Sequence, residues 1–226
     1  MFYLCNPHNP IGRVWRREEL ERLGAFCEKH DLLLISDEIH CDLILDDTLP
    51  HIPSAAISPA LAARTITLMA PSKTYNIPGL GCTMAIIADE KLRRKLERSS
   101  LGLLPEVTTM GLSACEAAYG RSEDWRQGLL TTLRTNAALI TQTLAELPGV
   151  HGKGPQESTY LYWIDVTELK LSDPIAHFEA HGIGLSDGNF FGAPTNAYVR
   201  LNFGCPTSTL EDGLRRFAAG VHAAQS

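Results

Sequence analysis

No apolar stretch in this 226-residue sequence approaches the ~18 consecutive residues that a membrane-spanning helix needs. The opening "MFYLCNPHNP" lacks the basic segment and apolar core of a secretory leader, so the expectation is a soluble, cytoplasmic protein without a membrane partner. The six cysteines, at positions 5, 27, 41, 82, 115 and 205, contain no C-x-x-C pair. That argues against a zinc ribbon or a redox motif and leaves them to be read as reduced core thiols. Charge of one sign is nowhere concentrated: 26 acidic and 20 basic residues are interspersed, for a net charge of -6. Neither a nucleic-acid-binding basic patch nor a solvating acidic tail is present, and the expected partners are small molecules or protein. Repeats and low-complexity segments are absent as well.

What is present is an ordinary globular composition, 44% hydrophobic, patterned as alternating strands and helices. "FYLCNP" is a short apolar run broken by Asn and Pro. "RREELERLGAFCEKH" then sets Leu20, Leu23, Phe26 and Cys27 on one helical stripe, and "LLLISDE" is a second apolar run. A strand, a crossover helix and a strand predict parallel pairing, and strands that are apolar throughout predict a sheet covered on both faces. "RTITLMA" and "TMAIIADE" predict two further buried strands, so the first part of the chain is read as an open α/β sheet. Ligands of such sheets sit at the carboxyl edge, where Asn6, Asn9, Asp37 and Lys73 fall.

From about Val107 to Leu147 the pattern is helical, with Leu129, Leu133, Ala137, Ile140, Leu144 and Leu147 along one face before Pro148-Gly149 ends it. The composition then shifts. "STYLYWIDV" reads as a strand, "SDPIAHFEAHG" as a short helix capped by Asp and closed by Gly, and "AYVRLNFG" alternates. Ser208 and Glu211 predict a capping box for a last helix burying Leu214, Phe217, Ala218 and Val221. A domain boundary is placed near residue 120, within the long helical stretch.

Several residues could carry chemistry. Lys73, in "PSKTYNIPGLG", sits just past an apolar strand. Desolvation there would favour the neutral amine that a Schiff-base lysine needs; the other reading is a lysine snorkelling out of a turn. Asp37 ends "LLLIS" abruptly, where a carboxylate either caps the next segment or holds a ligand's positive charge. His40 and Asp42 follow in "DEIHCD". With His8 or His51 they could be imagined as a metal group, but their spacing matches no known ligand pattern, and His40 reads better as a hydrogen-bonding neighbour. Two Asn-Pro steps in "CNPHNPIG" fix a turn that offers an amide to a ligand oxygen. Arg200, opposite Val199, Leu201 and Phe203 in "YVRLNFG", meets either solvent or a carboxylate in a cleft.

Together, "NPHNPIGRVW", "ISDEIHCDLI", "PSKTYNIPGLG" and "YVRLNFGCP", in this order and spacing, resemble fold-type-I pyridoxal-phosphate enzymes of the class I/II aminotransferase superfamily. Within it the chain looks most like the cystathionine β-lyase-like (MalY/PatB) carbon-sulfur lyases. The resemblance implies part of a large, mainly parallel-sheet domain over 1–120 and a smaller α+β domain over 121–226, in an α/β protein that works as a homodimer. It implies pyridoxal 5'-phosphate as cofactor, with Lys73 as its Schiff-base lysine and catalytic base and Asp37 paired with the pyridinium nitrogen. Asn9 would contact the ring's phenolic oxygen, where His40 takes the place of a tyrosine common in relatives of the aminotransferase type. Ser72 would help hold the phosphate and Arg200 would bind the substrate carboxylate. The implied activity is α,β-elimination giving a thiol, pyruvate and ammonia. An aminotransferase using the same residues, or an inactive remnant with a binding role, is the alternative.

The sequence departs from the family pattern in two ways. It begins at the strand bearing "CNPHNP", without the amino-terminal portion that carries a phosphate-binding loop and a ring-stacking aromatic, and many relatives have an arginine eight residues past the lysine where Gly81 stands. The expectation is therefore weak phosphate anchoring, an uncovered sheet, and a chain that is poorly stable or inactive by itself.

Overall fold

The computed structural model describes residues 1–154 and 156–225, which divide into two compact units. The first comprises Met1–His8 and Val14–Gln127; the second comprises Asn9–Arg13 and Gly128–Ser226. The division falls between Gln127 and Gly128.

The first unit is built on a four-stranded sheet in the order β1 (Phe2–Cys5), β2 (Leu34–Asp37), β3 (Thr65–Met69), β4 (Met84–Ile86). The expected crossover is present. Between β1 and β2 runs α1 (Arg17–Lys29), and β1–β2 and β2–β3 are parallel. At the start of α1, Glu19 accepts the Arg16 N–H at 2.8 Å, and Glu18 and Glu19 place negative charge in the first turn, where the helix dipole favours it. The helix buries Leu20, Gly24 and Cys27. Gly24 packs closely, since a Cβ there would come within 3.1 Å of Leu61 Cδ2 in the short α2 (Pro59–Ala62) and the leucine would have to shift by a few tenths of an ångström. Leu4, Leu20, Cys27, Leu34 and Leu61 form one core cluster. Burying each leucine of that cluster contributes about 1.5–3 kcal/mol.

The sheet differs from the expectation at its far edge. β4 pairs antiparallel with β3, and Ala85 and Ile86 are exposed rather than buried, because an edge strand has a neighbour on one side only. At the opposite edge, Tyr3 of β1 is 69% exposed, so the sheet is not covered on both faces as the apolar runs predicted. Beyond β4 lie α3 (Glu90–Ser100) and α4 (Thr109–Arg121). The stretch read as one helix breaks at Ser122, and α5 (Glu123–Glu146) follows.

The second unit carries another four-stranded sheet, β5 (His151–Gly152), β6 (Leu161–Asp165), β8 (Tyr198–Asn202) and β7 (Ser186–Asp187) in that spatial order, with every pairing antiparallel. Cross-strand register puts Tyr162 beside Leu201 and Ile164 beside Val199 on one face, and Trp163 beside Arg200 on the other. The first face meets α5, where Thr141 and Tyr162 hydroxyls are 2.9 Å apart. α6 (Pro174–Ala180) starts as expected at Asp173, which accepts the Ala176 N–H at 3.0 Å, and is followed by Gly182 at φ +80°. Phe178 of α6 stacks on Phe217 of α7 (Thr207–Ala223), ring centroids 4.6 Å apart.

α7 begins one residue before Ser208, with Pro206 as its cap, so no Ser208–Glu211 capping box forms. The stripe of α5 is also turned slightly from the one expected: Leu130 is buried where Leu129 was predicted, and so is Asn136. Asn136 Nδ2 donates to the carbonyls of Phe203 (3.0 Å) and Cys205 (2.9 Å), and its Oδ1 accepts the Thr207 hydroxyl at 2.9 Å. No helix among the described residues is long and apolar enough to cross a membrane.

Candidate active site

In the first unit, Asp37 and Lys73 leave the carboxyl ends of two neighbouring parallel strands. Asp37 is the last residue of β2, and its backbone pairs with Leu68 of β3. Side chains alternate along an extended chain, and Ser36 in β2 and Glu38 just past its end are both buried and hydrogen-bonded to each other, while Asp37 between them is half-buried. Asp37 does part of the capping considered for it: Oδ1 accepts the Ile39 N–H at 3.1 Å. Among the described residues no side chain engages Oδ2, which leaves a half-buried carboxylate oxygen available to a cationic ligand.

Lys73 does not stand at the buried end of the strand, as expected, but four residues past β3 in an exposed turn. The reason lies in its neighbours. Ala70 and Pro71 are buried, the turn closes through the Tyr75 N–H to the Pro71 carbonyl (2.9 Å) and the Ile77 N–H to the Ser72 carbonyl (3.1 Å), and Thr74 is fully buried. Tyr75 is clasped edge-on by Tyr119 (5.7 Å between centroids) and stacked on Trp125 (6.0 Å). Thr74 and Tyr75 therefore take the inner side of the turn, and Lys73 is left facing outward without an acidic partner among the described residues. Ser72 beside it is half-buried. His40 is 3% exposed, in the turn after β2. Among the described residues no group of three or more His, Cys, Asp or Glu side chains could hold a metal ion.

In the second unit the structure brings Asn9 and Arg200 together. Arg200 extends from β8 and donates through Nη1 to Asn9 Oδ1 and through Nη2 to Ser186 Oγ, both at 3.0 Å. Its guanidinium carbon lies 4.6 Å from the centre of the Phe191 ring, a cation–π arrangement. Of the two readings open for Arg200, the solvent-facing one does not hold. Burial lowers its pKa from the ordinary value and the charge of Tyr160 opposes that shift, yet a guanidinium remains cationic at any physiological pH. Its Nε is buried with no hydrogen-bond partner. A buried, unsatisfied N–H on a cation is a costly arrangement that an incoming anionic oxygen would relieve. Because Asn9 spends its oxygen on Arg200, it has its amide N–H left to offer a ligand.

In the first unit the donors fit pyridoxal phosphate, with a carboxylate oxygen open to a pyridinium and a primary amine open to an aldehyde; in the second, Arg200 is short of one acceptor. Sequence reasoning missed Ser186 and Phe191, which orient Arg200 and carry no local signal, and Glu38, whose alternation with Ser36 could have marked it as a buried carboxylate in need of donors.

Residues 1–217 match the family described as Aminotransferase class I and II. The chain is 39% identical to cystathionine beta-lyase PatB of Bacillus subtilis (strain 168) over 98% of its own length and 58% of the relative's. Among solved structures, it is similar to the crystal structure of OvoB (TM-score 0.93, 43% identity, 97% of this chain and 57% of that one). It is also similar to that of cystalysin from Treponema denticola, which contains a pyridoxal 5'-phosphate cofactor (TM-score 0.91, 32% identity, 98% of this chain and 57% of that one). The chain thus spans less than three fifths of the length of these relatives.

Proposed function

The chain belongs to the class I and II aminotransferase family, and from that premise we propose that it acts as a pyridoxal-phosphate-dependent carbon-sulfur β-lyase on cystathionine or a related cysteine conjugate. The observation that carries the cofactor is the pair of groups leaving adjacent strands, the open Oδ2 of Asp37 and the outward amine of Lys73. The choice of a lyase rests on the named activity of PatB.

Bound pyridoxal phosphate supplies an electron sink for the pair left behind when a proton leaves the substrate's Cα. Asp37 would hold a proton at the ring nitrogen, and the Lys73 amine would hold the cofactor through its aldehyde and move the proton at the substrate's Cα. The overall elimination would consume water and yield a thiol, pyruvate and ammonia. Ser72 would give a hydroxyl to the phosphate, while Asn9 and His40 would serve the phenolic oxygen. Arg200 would bind the substrate carboxylate through the N–H that lacks an acceptor. Residues 1–120 would serve as the cofactor-binding domain and 121–226 as the smaller one, in a cytoplasmic homodimer.

The test is product formation from cystathionine, with the chain alone and with the remaining amino-terminal portion of the family's length supplied. Pyruvate and free thiol appearing without an added keto acid support the lyase. A strict need for a keto-acid acceptor assigns a transaminase, and no turnover under either condition leaves the non-catalytic reading.

A further inference from the structure

Glu38 follows Asp37 just past the end of β2 and is 1% exposed, where Asp37 is half-buried. A carboxylate so far from water must be held by donors. Glu38 Oε1 accepts from the Ser36 hydroxyl at 2.9 Å and from the Ser54 N–H at 3.0 Å, and Oε2 accepts from His51 Nε2 at 2.8 Å. Ser54 and Ser36 hydroxyls are themselves 2.9 Å apart. The segment carrying His51 and Ser54 is tied to the end of β1 as well, because Asn6 Nδ2 donates to the Ile52 carbonyl at 3.2 Å.

The backbone of the same residues is equally constrained. The Glu38 N–H donates to Leu68 of β3 and the Glu38 carbonyl accepts the Cys41 N–H, each at 2.9 Å; the Asp37 carbonyl accepts the Asn6 N–H at 2.9 Å. Asp37 and Glu38 share one peptide unit, so a rotation of Glu38 re-aims the Asp37 carboxylate. The alternative account, that the network only fills the core, does not explain its composition. An apolar pair of similar volume would fill the same space without burying a carboxylate.

Resting on the cofactor reading above, we propose that Glu38 and His51 are positioning residues, which hold the turn after β2 so that the Asp37 carboxylate keeps its aim at the ring nitrogen. They touch neither ring nor substrate, and they act through Asp37. His51 supplies the only imidazole donor to the buried carboxylate among the described residues, and its other ring nitrogen is buried without a partner, so its contribution is made through Nε2.

The experiment compares His51→Leu, which removes the donor, His51→Gln, which keeps one, and Asp37→Asn as the reference. The readouts are the nitrogen chemical shift of bound pyridoxal phosphate labelled with ¹⁵N in its ring, and the exchange rate of the Ile39 amide in the cofactor-free chain. Losing one hydrogen bond to a buried charge predicts faster Ile39 exchange in His51→Leu by about tenfold. It also predicts a ring-nitrogen signal moved toward that of Asp37→Asn. His51→Gln returns both toward wild type. A ring signal in His51→Leu equal to wild type, with Asp37→Asn displaced, overturns the proposal. If the wild-type chain takes up no pyridoxal phosphate, the cofactor reading fails by itself, and an Ile39 exchange rate unchanged in His51→Leu then overturns the positioning role independently.

Discussion

Arg200 Nη1 donates to Asn9 Oδ1 at 3.0 Å, joining residues 191 positions apart, and fixes both groups before any ligand arrives. Preorganisation of this kind lowers the ordering that binding would otherwise require. It also predicts that geometry, and not charge alone, matters at position 200. Arg200→Lys keeps the cation but loses the planar fork that reaches Asn9 and Ser186 together. Affinity for an α-carboxylate ligand should fall by about 10–100-fold, with uptake of pyridoxal phosphate unchanged. Ligand titration followed by absorbance checks both, and an unaltered ligand affinity would speak against the carboxylate role.

Gly81 stands where the family resemblance puts a phosphate-binding arginine. Its φ of +46° is a left-handed conformation, and a Cβ built there meets nothing within 4 Å. The substitution Gly81→Arg therefore costs about 1–2 kcal/mol of backbone strain, against about 1.5–3 kcal/mol for a hydrogen bond to a charged group. The strain is present with and without the cofactor and lowers stability, whereas the new hydrogen bond forms only on binding, so pyridoxal phosphate should bind about 10–100-fold tighter. Unchanged binding in an equilibrium titration would show that the phosphate does not lie within reach of this turn.

Asn136, fully buried in α5, satisfies two carbonyls and a hydroxyl from the segment between β8 and α7. Asn136→Ala leaves those groups without partners, and denaturant unfolding of the second unit should show a loss of about 2–3 kcal/mol. A loss below ~0.5 kcal/mol, the size of an ordinary surface substitution, would mean that water replaces the amide.

Cys41 has its thiol pushed up to about 12 from 9.0, by burial first and then by the charges of Asp42 and Glu38. Its folded pKa is raised above the unfolded value, so the protein binds this proton more tightly when folded. The stability linked to it is fully present below pH 9.0 and is lost as pH rises toward about 12. Alkylation of Cys41, followed by mass spectrometry, should stay slow at pH 8–10 in the folded chain and become fast after denaturation. Rapid modification of the folded chain at pH 8 would contradict the burial.

Much of the first unit was legible because its signals are local. The apolar run ending at Cys5, the stripe through Leu20 and Cys27 and the run ending at Asp37 each carry their own period, and together they give the parallel β1–α1–β2 crossover. The Asp173-Pro174 start and Gly182 stop of α6 were readable for the same reason. What escaped depends on partners distant in sequence. "TMAIIADE" has the composition of a buried strand, and only its place at the edge of the sheet exposes Ile86. Ser122 interrupts a helical pattern that is otherwise continuous, and the turn of α5 that buries Leu130 is selected by Asn136 and its bonds near Phe203. Among the candidate residues, Asp37 was readable at a strand end, Asn9 and Lys73 in the segments after strands, and Arg200 within an alternating strand. Lys73 faces outward because Thr74 and Tyr75 claim the interior, and the Glu38–His51 contact spans a loop that no spacing rule anticipates.

The central claim is that the amine of Lys73 captures the aldehyde of pyridoxal phosphate. Incubating the chain with the cofactor, reducing with borohydride and mapping the product by peptide mass spectrometry tests it directly. The account predicts a phosphopyridoxyl group on Lys73, absent from Lys73→Ala and weakened in Asp37→Asn. Modification scattered over surface lysines to the same extent in wild type and Lys73→Ala, with the amino-terminal portion supplied, would contradict it.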